Sequence, residues 1–167
     1  MRGQDAGDGG WHFTFTQWSP AATLEWRGVV KPGSEGWALL ALADPGASRV
    51  AAGDVTGFAD AGSRRKAQML LAGLAGLGRL GASEAQSAAA ALDVQIGGVN
   101  GWTQAIDAAG QRGDAATVAL LAGVGMQSLN WDYVAPEALF HIVAAMRAAG
   151  MANYARMIAV EAVTRSA

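Results

Sequence analysis

Glu137 and His141 are the residues of this sequence whose types and spacing could most directly support chemistry. They stand four positions apart in a helical pattern, which places both side chains on one face, one turn apart. Such a pair could share a metal ion, with Asp132 or Tyr133 from the preceding loop nearby. A metal site normally needs three or four ligands, and nothing in the sequence marks the others. We therefore predict a solvated or hydrogen-bonded pair and no metal.

Catalytic and cofactor motifs are weak in this sequence. The chain has no Cys and two His, and it lacks the Gly-x-Ser-x-Gly motif of serine hydrolases. The glycines from Gly76 to Gly81 match G-x-G-x-x-G, but that fingerprint opens a helix after a strand, whereas these glycines close a helix. We predict no cofactor and no catalytic residue. An alternative, a small hydrolase-like enzyme, requires a pocket that brings His12 or His141 to a carboxylate such as Asp54 or Asp132.

Composition limits the classes of partner. With 167 residues, 51% of them apolar, and a net charge of −2, the chain can bury a core and carries no basic field for nucleic acid. The apolar run from Met69 to Leu80 is shorter than the roughly 20 residues of a membrane span. Residues 1–10 are polar and Gly-rich, unlike a secretory signal. We predict a cytoplasmic protein with no membrane span and no nucleic-acid partner.

Two regions of different amino-acid composition follow the tail of residues 1–10. Residues 11–60 hold most of the Trp and Pro. There the alternation of aromatic and polar residues from Trp11 to Thr16 predicts a short strand, whereas residues 34–43 predict a short buried helix. Residues 61–167 are rich in Ala, and their apolar period of 3.6 predicts helix almost throughout. The predicted fold class is mainly all-α, a short solenoid of stacked helical hairpins.

The helical region divides into three predicted pairs at its caps and glycines. The pairs are 63–80 with 83–93, 101–111 with 114–125, and 136–149 with 152–165. Gly73 and Gly76 lie within the first helix, where they weaken helix propensity and let another helix approach closely. Each pair leaves apolar stripes that one hairpin cannot cover, so stacking is required.

The dipeptide Ala-Gly ends a helix twice, at Gly110 and again 40 residues later at Gly150. In both cases Ala follows at the fifth and twelfth positions after the Gly, which predicts buried small residues at helix crossings. These units resemble tetratricopeptide-type hairpins, a family with a repeat of about 34 residues. The first-helix apolar positions that carry the likeness are Trp102, Ile106, Leu139, Ile142 and Met146, and the small second-helix positions are Ala115, Ala122, Ala155 and Ala162. The resemblance implies stacked hairpins with a groove for a protein or peptide.

The closing stretch, from Trp131 to Arg165, is also similar to the C-terminal ends of uncharacterised alphaproteobacterial proteins, some of them longer and exported. That resemblance implies a periplasmic alternative, in which this chain is a shortened relative of an exported parent.

The leading functional hypothesis is a non-catalytic bacterial scaffold module that binds a protein or peptide. Trp, Tyr and Arg are the usual anchors of such interfaces. The candidate partner-binding residues are Trp131, Asp132, Tyr133, Trp11, Trp18 and Arg147. Because Trp102 and Trp131 are large aromatics, burial over the core is the stronger expectation for each of them. A structural subunit that a partner chain completes is the remaining alternative.

Overall fold

Eight α-helices and no strand make up the part of the chain that the computed structural model describes, residues 30–128 and 130–167. The fold is therefore all-α, as predicted. No helix within these ranges is long and apolar enough to cross a membrane. The helices are α1 (Glu35–Ala43), α2 (Ala52–Ala61), α3 (Arg64–Gly76), α4 (Ala82–Ala91), α5 (Gly101–Gln111), α6 (Ala115–Gly125), α7 (Pro136–Ala148) and α8 (Ala152–Arg165), with a 3-10 turn at Trp131–Tyr133.

The six predicted helices from residue 63 onward are confirmed, and three of them begin at a capping side chain. Ser63, Asn100 and Asp114 are N-caps whose side chains accept backbone N–H groups of α3, α5 and α6. Asp114 accepts from the Thr117 amide at 3.0 Å and the Thr117 hydroxyl at 2.6 Å. These hydrogen bonds lower the pKa of Asp114.

The short helix predicted over residues 34–43 is present as α1, which begins at Glu35 after the Ser34 cap. Helix α2 was not predicted. Two glycines, Gly53 and Gly57, weaken the helix propensity of α2. Tertiary packing compensates, since Val55 and Phe58 are buried on its inner side. Trp18 and the predicted strand that begins at Trp11 both lie outside the described residues.

Helix α7 occupies the centre of the fold. It packs most extensively on α3, and also contacts α5, α6 and α8. The hairpins α5–α6 and α7–α8 form as predicted, but α3 packs on α7 and α8 and has no extensive contact with α5. The spatial order of the pairs therefore differs from their order in the chain. In a linear solenoid, the second pair in the chain, α5–α6, would lie between the first and the third pairs.

Small residues set the closest approaches between helices. A Cβ on Gly110 of α5 would lie 2.8 Å from Cα of Ala145 in α7. A Cβ on Gly76 of α3 would lie 2.9 Å from the carbonyl oxygen of Phe140, also in α7. Of the four Ala positions in the predicted pattern, Ala122, Ala155 and Ala162 are buried, whereas Ala115 at the start of α6 is only partly buried. Glycine at these positions lets α7 contact its neighbours backbone against backbone.

Arginine side chains cap the carbonyl ends of other helices. Arg147 of α7 donates from Nε to the Gly76 carbonyl at 3.1 Å, at the end of α3. Arg79 donates to the carbonyls of Ala41 and Asp44 at the end of α1. Burial lowers the pKa of Arg79 to about 10, so the group is a cation at neutral pH. Each guanidinium satisfies carbonyls that have no partner within their helix and complements the helix dipole.

Candidate functional site

The turn Trp131–Tyr133 joins the two hairpins and is held by a residue far away in the sequence. Arg65 of α3 donates to the carbonyls of Trp131 at 3.3 Å and Asp132 at 2.9 Å, and also to that of Val134. Burial lowers the pKa of Arg65, and the charge of Asp132 opposes that shift. Since three carbonyls share one guanidinium, the backbone of this turn is fixed relative to α3.

The three side chains of the turn have different surroundings. Trp131 is partly buried and packs against the core, as predicted. Asp132 accepts from the Ala167 amide at 2.9 Å, which ties the turn to the residues after α8. Tyr133 is 81% exposed. Of these three predicted interface residues, Tyr133 is therefore the one that offers a large side chain to a partner.

The remaining predicted interface residues do not join this surface. Arg147 lies at the opposite end of α7, where it caps α3. Trp11 and Trp18 lie outside the described residues. Trp102 packs against the core and donates from Nε1 to the Leu121 carbonyl at 3.0 Å, which joins α5 to α6.

His141 pairs with Asp107 of α5 rather than with Glu137. Its Nδ1 lies 2.9 Å from both carboxylate oxygens of Asp107, while the Glu137 carboxylate lies against the backbone of Gly98. The His141 ring is buried, and its Nε2 has no hydrogen-bond partner among the described residues. The contact fits a ring that carries a proton on Nδ1 and donates it to Asp107.

This pair has the orientation of an acid–base dyad, and its Nε2 is buried. General base catalysis would require Nε2 to reach a proton of a substrate or nucleophile. Asp54 and Asp132, the carboxylates considered in the enzyme alternative, are not its partners. Within residues 30–128 and 130–167, no group of three His, Asp or Glu could hold a metal ion. The pair instead clamps α5 onto α7.

A cleft of about 180 Å³ lies beside α1 and the loop before α2, lined in part by Val30, Trp37, Arg49 and Asp54. Ligand pockets usually measure at least about 300 Å³. Among the predicted site residues that the structure describes, only Asp54 lines it. The cleft therefore offers little support for a small-molecule site.

One surface was not predicted from the sequence, the solvent side of α6. Leu120 is 74% and Val124 51% exposed there. A signal was present, because no charged residue occurs from Ala115 to Trp131. A surface helix is normally charged or polar on its outer face.

No protein family, curated protein or solved structure matches this chain.

Proposed function

We propose that this protein is a non-catalytic, helical-repeat interaction module that binds a protein or peptide partner at the turn Trp131–Tyr133. The observation that carries the proposal is the presentation of Tyr133 on a turn whose backbone Arg65 fixes through three hydrogen bonds. The repeat units are the hairpins α5–α6 and α7–α8, which this turn connects.

The chemistry of Tyr133 suits an interface anchor. A tyrosine ring buries a large area with little loss of side-chain entropy, and its hydroxyl can still bond to a partner. Because the turn is already ordered, binding has no further backbone entropy to remove at this position. The partner that fits is a protein or peptide with an apolar pocket for the ring and a hydrogen-bond acceptor or donor at its base.

The test is affinity capture from native lysate with the intact chain, quantified by mass spectrometry. The matched control is Tyr154→Ala, because Tyr154 of α8 is also a well exposed tyrosine, at 62%. We expect a stoichiometric protein partner with the wild type and with Tyr154→Ala, and its loss with Tyr133→Ala. Circular dichroism should show that both variants remain folded.

Two results contradict the proposal. One is retention of the same partner by Tyr133→Ala. The other is the absence of any partner together with catalytic turnover that depends on His141, which would favour the enzyme alternative.

A further inference from the structure

Asn100 is followed by Gly101, and both residues are exposed at the start of helix α5. An asparagine can react with its own backbone, because the next amide nitrogen and the side-chain carbonyl carbon Cγ can close a small ring. Glycine lacks the Cβ that hinders this approach in other residues. The chain has two more asparagines, Asn130 and Asn153, and each precedes a large aromatic residue. Asn100 is therefore the asparagine with an unhindered backbone nucleophile.

The local structure leaves the Gly101 nitrogen available. Gly101 is the first residue of α5, where helical amides have no carbonyl partner one turn earlier. Its amide makes no hydrogen bond to the described residues. A Cβ at Gly101 would meet nothing within 4 Å, so the peptide group has room to turn. Asn100 has φ −139° and ψ 178°, which place the Gly101 nitrogen gauche to Cβ of Asn100. Rotations about Cα–C and Cα–Cβ therefore bring this nitrogen to Cγ.

The start of α5 also activates the side-chain amide of Asn100. Its Oδ1 accepts from the backbone amides of Trp102 and Thr103, both at 2.9 Å. Two donors on one carbonyl oxygen draw electrons from Cγ, and they stabilise the negative charge that develops on Oδ1 during attack, as in an oxyanion hole. The leaving nitrogen, Nδ2, makes no hydrogen bond to the described residues. The cap therefore holds the oxygen and leaves the departing group free.

We propose that Asn100 is a site of spontaneous deamidation in the folded protein. The Gly101 nitrogen loses its proton to hydroxide and bonds to Cγ of Asn100. Nδ2 takes a proton from water, the Cγ–Nδ2 bond breaks, and ammonia leaves. One water molecule then opens the resulting succinimide, at Cγ to give aspartate or at the backbone carbonyl to give isoaspartate. This site is separate from the turn Trp131–Tyr133 and independent of the partner proposed for it.

The two products affect α5 differently, although each adds a negative charge. Aspartate is also a good N-cap, and its charge is favourable at the start of a helix. Isoaspartate adds a backbone atom before Gly101, so the reciprocal hydrogen bonds between residue 100 and Thr103 lose their register. Deamidation is therefore a slow, irreversible modification that loosens the first turn of α5 when isoaspartate forms.

The first test is incubation of the intact protein in mildly alkaline buffer, followed by proteolysis and mass spectrometry of the peptides that contain asparagine. Circular dichroism verifies that the chain stays folded. We expect deamidation at Asn100 to be at least about tenfold faster than at Asn130 or Asn153, which are also exposed. In water enriched in oxygen-18, each product should gain one heavy oxygen.

The matched control is Gly101→Ala, which adds a methyl group in open space and leaves the cap in place. It should slow deamidation at Asn100 at least about tenfold. Asn100 that stays intact throughout the incubation, or equal rates in the wild type and Gly101→Ala, overturns the proposal. The same chain unfolded in urea lacks the donors of α5, so it should react no faster than the folded protein. A much faster reaction in urea would show that the cap protects Asn100, which contradicts the proposed activation.

The second test compares the separated products by amide exchange in residues 102–105. The isoaspartate form should exchange faster than the wild type. The variant Asn100→Asp, which has the aspartate product at this position, should exchange like the wild type. Equal exchange in all three proteins contradicts the loosening of α5.

Discussion

Gly110→Ala tests whether the close approach of α5 to α7 stabilises this fold. The added Cβ would lie 2.8 Å from Cα and 3.0 Å from both Cβ and the carbonyl oxygen of Ala145. Two of those atoms are backbone, so relief requires a movement of one helix against the other. Overpacking of this kind costs about 1–3 kcal/mol. Because the closest contacts are with backbone atoms, the cost should lie in the upper part of that range, at about 2–3 kcal/mol. Alanine returns about 1 kcal/mol of helix propensity, so we expect a net loss of roughly 1–2 kcal/mol in unfolding free energy.

The matched control is Gly57→Ala in α2, where a Cβ would meet nothing within 4 Å. This variant should gain up to about 1 kcal/mol from helix propensity. Urea denaturation followed by circular dichroism measures both, at a protein concentration that keeps every variant in the same oligomeric state. Identical substitutions should therefore shift stability in opposite directions. Equal stabilisation by both variants would refute the backbone contact between α5 and α7.

Three further predictions concern the polar contacts. Asp107→Ala should lower the free energy of unfolding by about 1–3 kcal/mol, because it leaves the buried imidazole of His141 without its carboxylate. Nitrogen NMR of His141 should also show loss of the single Nδ1–H tautomer, and an unchanged spectrum would contradict the pairing. Arg65→Met should speed amide exchange in residues 131–134, because the carbonyls of Trp131, Asp132 and Val134 all accept from its Nη2 and would lose that donor. Arg165→Met, which removes an exposed ion pair, should leave that exchange unchanged. The lowered pKa of Asp114 implies a contribution to stability that is fully present above its unfolded pKa of about 3.9 and is lost as pH falls through the folded value. Asp114→Asn should keep the helix cap and flatten the acid dependence of stability in denaturation curves from pH 5 to pH 2. An unaltered slope would show that another carboxyl is responsible.

Local signals explain why the helices from residue 63 onward were predictable. Most of them begin at or near a residue that suits a helix start, as at Ser63 and Pro136, although α8 begins after Met151 without a capping side chain. Several end near a glycine with positive φ, such as Gly113 and Gly150. Helix α2 has weaker signals: Asp54 in its first turn accepts the Ala51 amide and Gly62 follows its end, but no capping side chain precedes it. Its stability comes mainly from contacts of Val55 and Phe58 with the rest of the fold. Sequence periodicity does not contain those contacts.

The polar partners were not predictable for the same reason. Glu137 stands one turn from His141, yet the carboxylate that binds His141 is Asp107, 34 residues away. The turn Trp131–Tyr133 was recognisable as an aromatic loop, but its anchor, Arg65, lies 66 residues from Trp131. The order in which the helix pairs pack is likewise set by long-range contacts, chiefly those between α3 and α7.

The central position of α7 has a consequence for how the chain folds during synthesis. Helix α3 emerges from the ribosome long before α7, and its buried leucines have no extensive packing partner on α5 or α6. The inner faces of both α3 and the α5–α6 hairpin stay exposed until α7 is made. Because those contacts are distant in sequence, they raise contact order and delay the cooperative step. Folding of the core is therefore a late event, and nascent chains that stop before Pro136 should remain targets for chaperones and proteases.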